Sequence, residues 1–322
     1  MDDRISVFIT SYNQKGLLVE AIESILSQTF QPFEIIICDD CSTDGSQEVI
    51  ASYTNRHPRL IRPFYHKQNI GIPRNKSFAL EQVKGNLVTY LDGDDRFLSR
   101  KLEFELDCLK RNPESKIVFS NFYYINEQGE RTAIWAEDGH AIPTGYVFPQ
   151  SFSRDFPRNT LFRNELIDYE SLKKVGFFDC EFAMYHDWEL RIRLTKLYNV
   201  SYCPEILTEY RRHSDSISMS APSRHLDEME RVYKKNADLF FDLNDPTRVQ
   251  IEKRIFNILG HLAFRSVIEK LNERDKKNGF IAFKKSLSYG KKISQLGLLF
   301  LFLIPRPGYK LLRKTYRSIF KA

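Results

Sequence analysis

Two rhythms of apolar and polar positions take turns over the first 125 residues. RISVFITSYN (4–13) is an apolar, β-branched run that ends in polar residues. KGLLVEAIESILSQ (15–28) then puts Leu17, Leu18, Ala21, Ile22, Ile25 and Leu26 on one helical face. FEIIICDD (33–40) is continuously apolar before its acids, the mark of a strand covered on both faces. STDGSQEVIASY (42–53) reads as a turn and a helix, LIRPFYH (60–66) as a weaker strand, and GIPRNKSFALEQV (71–83) as a helix with Gly and Pro at its start. NLVTYLDGDD (86–95) is a fourth strand. Ser99 stands where an N-cap of the helix RKLEFELDCLKRN (100–112) belongs, and KIVFSNFYYI (116–125) is a fifth strand. Strand and helix in repetition predict an α/β fold with a parallel sheet.

Residues 126–165 lose both rhythms and carry Gly and Pro breaks, so loops and short strands lining a cleft are expected. DWELRIRLTKLY (187–198) is a helix opened by an acid. VSYCPEILTEYRRH (200–213) reads as a strand pair or a strand and turn. Beyond Pro222 the chain is mainly helical, which divides it into 1–222 and 223–322.

In parallel sheets, ligands gather at the carboxyl ends of the strands. Asp39 with Asp40, Asp44, and the trio Asp92, Asp94 and Asp95 all fall there or just beyond. Three carboxylates in four positions repel one another unless something neutralises them. The turn after the first strand, TSYNQKG, lacks the G-x-G-x-x-G of dinucleotide binders, and the chain has no P-loop pattern. Phosphates can instead be neutralised by a divalent cation held on carboxylates. Mg²⁺ or Mn²⁺ is commonly shared between one or two carboxylates and substrate phosphates, and the Gly of Asp-Gly-Asp leaves room for a diphosphate at the backbone. Each acid has a plainer reading too. Asp39, Asp40 and Asp44 suit turns and caps, and Asp187 suits a helix start, where the dipole favours a carboxylate.

Composition narrows the classes. The 322 residues are 42% hydrophobic and 13% aromatic, enough for a large core. Five cysteines and an opening, MDDRISVFIT, that runs straight into a strand-like pattern point to a reducing, cytoplasmic setting. Cys38 and Cys41 form a C-x-x-C, but no second pair stands at ligand spacing, which disfavours zinc and redox roles.

Taken together, five segments resemble glycosyltransferase family 2, the inverting enzymes of GT-A fold. They are the opening SVFITSYNQKGLLVEAIESILSQTFQPFEIIICDDCSTDGS, then QNIGIPRNKS, YLDGDD, GFFDCEFAMYHDWELRIRL and YRRHSDSIS, in the family's order over residues 4–218. The resemblance implies a Rossmann-like, mostly parallel sheet flanked by helices, with a C-terminal helical extension. It implies that Thr10, Tyr12 and Asp39 bind the base, uracil being commonest, and that Arg74 approaches the base or diphosphate. Asp92 would contact the ribose side. Asp94 would hold Mg²⁺ or Mn²⁺, with His213 at the diphosphate or as a further metal ligand. Asp187 would be the general base of a single displacement that transfers sugar from a nucleotide donor to an acceptor hydroxyl with inversion. Where the family often has Glu before that base, this chain has His186. A sugar-nucleotide or glycan binding protein of the same fold, without turnover, is the alternative from another class.

Charge is unevenly spread. From Lys270 to Ala322 there are fourteen Lys or Arg against two acids, so the body carries −6 although the whole chain is +6. An acidic body argues against nucleic acid as a partner. LGLLFLFLI (296–304) is too short to span a bilayer, which takes about 20 residues. The cations after it interleave with Leu311, Leu312, Tyr316, Ile319 and Phe320 at helical spacing. Such a tail suits an anionic membrane surface at the inner face of the cytoplasmic membrane; the family resemblance, to its bacterial surface-polysaccharide type, then implies a glycan or lipid-linked sugar as acceptor. Packing on the body or in a homodimer is the other use for it.

Overall fold

Four parallel strands make one half of the sheet in the computed structural model, which describes residues 3–213, 221–273 and 275–289. They are β1 (Ile5–Ser11), β2 (Glu34–Asp39), β3 (Ile61–Tyr65) and β4 (Leu87–Asp92), in spatial order β3-β2-β1-β4. Every residue of β1 and β2 is buried, as unbroken apolar runs covered on both faces require. β3 is the outer strand and tolerates Pro63 for that reason. The connecting helices are α1 (Lys15–Leu26), α2 (Ser46–Arg56) and α3 (Ile72–Glu81). α1 buries Leu18, Ala21, Ile22 and Ile25 against Ile5, Val7, Ile9, Ile35 and Ile37, while Leu17 and Leu26 stay partly exposed. α2 is entered through Gly45 at φ +92°, a left-handed conformation that favours glycine.

The other half holds β5 (Arg96–Phe97), α4 (Lys101–Arg111), β6 (Ser115–Ile125), β7 (Arg131–Ile134), α5 (Phe148–Ser153), β8 (Leu166–Asp168), α6 (Tyr169–Val175), α7 (His186–Leu197) and β9 (Asn199–Arg211). The sheet continues from β4 through β8, β6 and β9 to β5, with β7 on β6. β8 is antiparallel to β4, pairing Leu87 with Asp168 and Val88 with Ile167. That register runs residues 163–165 back alongside residues 89–92, which matters for the site.

Two local expectations are corrected. Ser99 does not cap α4. The residue before the helix is Arg100, without a side-chain cap, and the Ser99 carbonyl accepts from Thr29 N instead. Residues 200–211 belong to one long strand, β9, rather than a strand pair. Its pairing with β6 jumps from Cys203 to Ile206 as β6 advances from Ser120 to Asn121, so a bulge absorbs Pro204 and Glu205. The turn-like Pro-Glu pair was the misleading signal.

The chain divides into two compact units, Met1–Ser216 and Ile217–Ala322. In the second, α8 (Pro222–Asn236), α9 (Asp245–Asn272) and α10 (Lys276–Ser288) are the described helices, with Val267, Leu271, Ala282 and Phe283 forming a small core. Asn244 caps α9 by accepting from Thr247 N. No helix among the described residues is long and apolar enough to cross a membrane. The basic tail expected after residue 295 lies outside the described residues.

Candidate active site

The end of β4 shows how three neighbouring carboxylates coexist. Each meets a different environment. Asp92 stands between two cations, with Lys76 Nζ 2.6 Å from Oδ1 and Arg163 Nη2 3.3 Å from Oδ2. Burial opposes its charge, but Lys76 and then Arg163 outweigh that and hold the carboxyl below its usual range. Asp95 is fully buried. Burial, reinforced by Asp94, pushes its carboxyl well above the usual range, against the opposing pull of Arg163, whose Nη2 is 3.7 Å from Oδ2. Asp94 is partly open, and its Oδ2 lies 3.1 Å from His213 Nε2.

Arg211, at the end of β9, braces this turn. Its backbone N–H donates to Asp95 Oδ1 (2.8 Å), its Nε to the Asp94 carbonyl (2.8 Å), its Nη1 to the Glu127 carbonyl (3.0 Å) and its Nη2 to Glu20 (2.7 Å). Two residues on, His213 meets Asp94. The glycine of Asp-Gly-Asp has a reason of its own here. A Cβ on Gly93 would lie 2.8 Å from Gln14 Oε1 and 3.0 Å from the Thr10 carbonyl, which accepts the Gly93 N–H.

Asp187 lies in the first turn of α7. Its Oδ1 accepts from Trp188 N and its Oδ2 from Arg191 Nη1, both at 2.8 Å, and its side chain is 31% exposed. Burial raises its carboxyl, but Arg191, then His186 and Arg163, override burial and hold it well below the usual carboxylate range. It is therefore ionised at neutral pH. His186 is buried, its Nδ1 is 3.2 Å from the Ala183 carbonyl, and burial and then Lys76 lower its pKa to about 4, so the imidazole is neutral. Arg191, which donates to Asp187, also donates from Nη2 to the Tyr90 hydroxyl (2.8 Å), two residues before Asp92, so Asp187 and the end of β4 share one hydrogen-bonded network.

On the β1–β2 side, the register pairs Thr10 with both Cys38 and Asp92, and Ser11 with Asp39. Thr10 and Asp39 thus lie at the carboxyl ends of two adjacent inner strands, with Tyr12 just beyond β1. Tyr12 is exposed and Thr10 buried. Asp39 is fully buried and occupied by its own loop. It accepts from Ser42 N (2.9 Å), Gln47 Nε2 (2.8 Å) and the Ser42 hydroxyl. Asp40 accepts from Ile70 and Gly71 N–H and anchors the start of α3. Asp44 accepts from Lys15 N, at the start of α1, and from Ser46 N and Oγ, a turn residue that ties two loops together. Arg74 is exposed on the first turn of α3. The Cys38 thiol is buried and pushed up to about 12, far from the reactive thiolate a redox C-x-x-C needs.

Lys76, Arg163, Glu165 and Arg191 did not stand out in the sequence. Lys76 lies in a segment that resembled the family, but a lysine on an exposed-looking helix start gives no sign of being 5% exposed at its side chain. Arg163 and Glu165 fall in the stretch without rhythm. Only the β4–β8 register, which sequence periodicity does not reveal, brings them to the site.

The donor set available to a divalent cation is Asp94 with His213. Asp94 Oδ2 and His213 Nε2 are within 3.1 Å of each other, and Asp94 Oδ1 has no partner among the described residues. No group of three or more His, Cys, Asp or Glu suited to a metal occurs among the described residues. One carboxylate and one imidazole fit Mg²⁺ or Mn²⁺ when substrate phosphates complete the shell.

The α/β sheet thus presents an acidic pair at the carboxyl end of β4, with Asp187 on α7 as a further carboxylate of the candidate site. The profile of Glycosyl transferase family 2 matches residues 6–187, more than half of the chain, and the chain belongs to that family. An uncharacterized protein of Mycobacterium bovis is 29% identical over 223 residues, 67% of this chain and 61% of that one. A Rickettsia felis protein named an uncharacterized glycosyltransferase is 36% identical over 152 residues, 46% of this chain and 24% of that one. TuaG of Bacillus subtilis, named for teichuronic acid biosynthesis, is 29% identical over 218 residues, 66% of this chain and 81% of that one. The chain thus matches about three fifths of the mycobacterial relative's length and a quarter of the rickettsial one's. Among solved structures, Staphylococcus aureus TarS 1–349 in complex with UDP-GlcNAc superposes with a TM-score of 0.58 at 16% identity, covering 89% of this chain and 91% of that one. The mannosyltransferase PcManGT of Pyrobaculum calidifontis, in complex with GDP-Man and Mn²⁺, gives 0.57 at 14% identity, covering 98% and 87%. Likeness at these identities speaks for the fold, which is the GT-A type with helices after it.

Proposed function

We propose that the protein is a metal-dependent, inverting glycosyltransferase that moves a hexosyl group from a UDP-sugar to an acceptor hydroxyl in polysaccharide or lipid-linked glycan synthesis. The observation that carries this reading is that Asp187 on α7 is tied through Arg191 to Tyr90 of β4, two residues before Asp92. Family membership, the TuaG name and the donor complexes of the two solved neighbours support the class of substrate.

Asp94 and His213 would hold Mg²⁺ or Mn²⁺, which supplies charge stabilisation for the departing diphosphate when bound. Asp92 takes the ribose side, with its own charge balanced by Lys76 and Arg163. Thr10, Tyr12 and Asp39 form the base side, where Asp39 exchanges a hydrogen bond with Gln47 or Ser42 for one with the base, and Arg74 reaches the base or diphosphate. Asp187, ionised, accepts the proton of the acceptor hydroxyl as that oxygen attacks the anomeric carbon. His186 is buried with its Nδ1 at the Ala183 carbonyl and its ring against Phe178, which leaves Asp187, 31% exposed, as the proton acceptor of this helix.

The basic tail would rest on anionic lipid at the inner face of the cytoplasmic membrane, which suits a lipid-linked acceptor; this part stands on sequence alone. The test of the whole reading is a panel of nucleotide sugars with and without Mn²⁺, followed by UDP or GDP release and by thermal shift. Asp187→Asn is expected to keep donor binding and lose at least about 10²-fold in turnover, the low end of general-base contributions. Donor binding without any metal-stimulated release in the wild type would leave a binding protein of this fold instead.

A further inference from the structure

Arg191 is a guanidinium inside the protein, its side chain 2% exposed, on the inner face of α7. Its Nη1 donates to Asp187 Oδ2 at 2.8 Å. Its Nη2 donates to Glu165 Oε2 at 2.9 Å and to the Tyr90 hydroxyl oxygen at 2.8 Å. Glu165 is as deeply buried as Arg191, at 3%. The three partners come from separate elements: Tyr90 from β4, Glu165 from the segment entering β8, and Asp187 from the same helix one turn earlier. A buried cation thus sits between two carboxylates, one sealed and one partly open to the site.

That asymmetry has a chemical use. Before reaction the trio Asp187, Arg191, Glu165 carries one net negative charge. Once Asp187 has taken a proton, Arg191 and Glu165 remain as a neutral pair, and no lone charge is left in the interior. Without Glu165, protonation of Asp187 would strand a buried guanidinium, which is costly. Without Arg191, Asp187 would keep only the Trp188 N–H and lose the fixed direction of its carboxylate.

We infer that Arg191 and Glu165 are positioning residues for Asp187: the guanidinium fixes the carboxylate's orientation, and the sealed glutamate keeps the interior charge balanced when that carboxylate accepts a proton. The inference rests on the reading of Asp187 as the general base. In the step served, the acceptor O–H bond breaks and its proton goes to Asp187. The oxygen's electron pair forms the new bond to the anomeric carbon, and the old glycosyl bond's pair leaves with the diphosphate. The charged and titratable groups that face Asp187 are Arg191 and His186 on its own helix, Arg163 from the segment before β8, and Arg154 after α5. Arg191 itself faces Glu165 and Tyr90 besides Asp187.

The test is the pH profile of UDP release from a UDP-sugar that the wild-type full chain hydrolyses in Mn²⁺. Because Arg191 keeps Asp187 ionised, Asp187 is expected to add no acid limb to the wild-type kcat measured at saturating Mn²⁺ and donor. In Arg191→Gln the cation is gone while the burial remains. An acid limb then emerges between about pH 4 and 6, the range of an ordinary to modestly raised carboxyl. In Glu165→Gln no limb emerges, but kcat falls about tenfold with the donor KM unchanged, as a weakened base predicts. The double variant Glu165→Gln/Arg191→Met has no buried charge left to strand, so it keeps the test alive if the single variants unfold, and it shows the same limb as Arg191→Gln. A flat profile in both Arg191→Gln and the double variant overturns the inference, as does a Glu165→Gln change confined to KM. Asp187→Asn separates the two levels. If it abolishes turnover while the limb never moves, the positioning role alone fails; if it turns over normally, the general-base reading fails with it.

Discussion

Replacing Lys76 with Met tests how the carboxylates at the end of β4 are tolerated. The change keeps the stem of the side chain and removes its charge, leaving Asp92 with one cation instead of two. Removing one partner of a fully buried ion pair costs roughly 3–5 kcal/mol, because the other charge is stranded. Asp92 is less isolated than that: its side chain is 25% exposed and Arg163 remains 3.3 Å away. The ammonium also lies 4.4 Å from the centre of the Tyr90 ring, a contact that the thioether replaces in part. The expected loss is therefore about 2 kcal/mol, below the fully buried range. For a sheet unit of this size that corresponds to about 4–8 °C in Tm. The pH dependence has a definite sign. Asp92 is held below its unfolded value, so its contribution is present above about pH 4 and is lost as pH falls through the folded value. Lys76 is opposed by burial but raised by Asp92, so its contribution is complete below about pH 10 and is lost only above the folded value. The wild-type advantage over Lys76→Met is thus full between about pH 5 and 10 and shrinks toward pH 3. Thermal unfolding followed by circular dichroism at pH 7 and pH 3 measures it. An advantage of the same size at both values, or one below about 0.5 kcal/mol at pH 7, refutes the assignment of Lys76 as the counter-ion of Asp92, since that is the level of an ordinary surface pair.

Two other outcomes follow from the same residues and the tail. Gly93→Ala drives a methyl group against the Thr10 carbonyl at 3.0 Å, which as backbone has little room to yield; a loss of about 1–3 kcal/mol in urea unfolding is expected, with weakened UDP binding by calorimetry, and unchanged values of both would show that the glycine is dispensable. Deleting residues 295–322 is expected to release the protein from liposomes containing anionic lipid in a sedimentation assay; unchanged sedimentation would assign the tail to protein packing.

The parallel half of the sheet was legible because its strands are covered on both faces, and double burial writes itself into sequence as unbroken apolar runs such as that of β2. The same holds for the entries to α2 and α3, where Gly45 and Gly71 take positive φ that a side chain would resist. Short antiparallel pieces left no such trace. β8 has three residues, too few for a rhythm, yet its register carries Arg163 and Glu165 to the site. β9 was hidden by Pro204, which a bulge accommodates. In the site itself, the acids were readable because acids at strand ends are unusual. Their counter-ions were not: Lys76, Arg163 and Arg191 look like any surface cation until burial is known. Asp44 stood in the sequence as a candidate beside its plainer turn role, and its carboxylate is occupied by backbone and hydroxyl donors from Lys15 and Ser46.

The charges at the end of β4 also constrain the order in which ligands arrive. Lys76 and Arg163 both face Asp92, Arg163 also lies 3.7 Å from Asp95, and burial pushes the Asp95 carboxyl well above the usual range. The protein's own cations thus offset part of the acidic charge before anything binds. A divalent cation added alone would bring two uncompensated positive charges next to two protein cations, with only Asp94 Oδ1 lacking a partner among the described residues to receive it. A diphosphate added alone would meet cations already engaged with Asp92. Bound together, cation and diphosphate neutralise each other, so each is expected to strengthen the other by a coupling of about 1–3 kcal/mol, or 5- to 150-fold, and by the same factor in either order. Calorimetric titration of Mn²⁺ with and without saturating UDP, and of UDP with and without Mn²⁺, reads that factor twice. Mn²⁺ binding tightly in the absence of UDP would mean that the protein supplies a complete ligand set, and the charge balance drawn from Lys76 and Arg163 would be wrong.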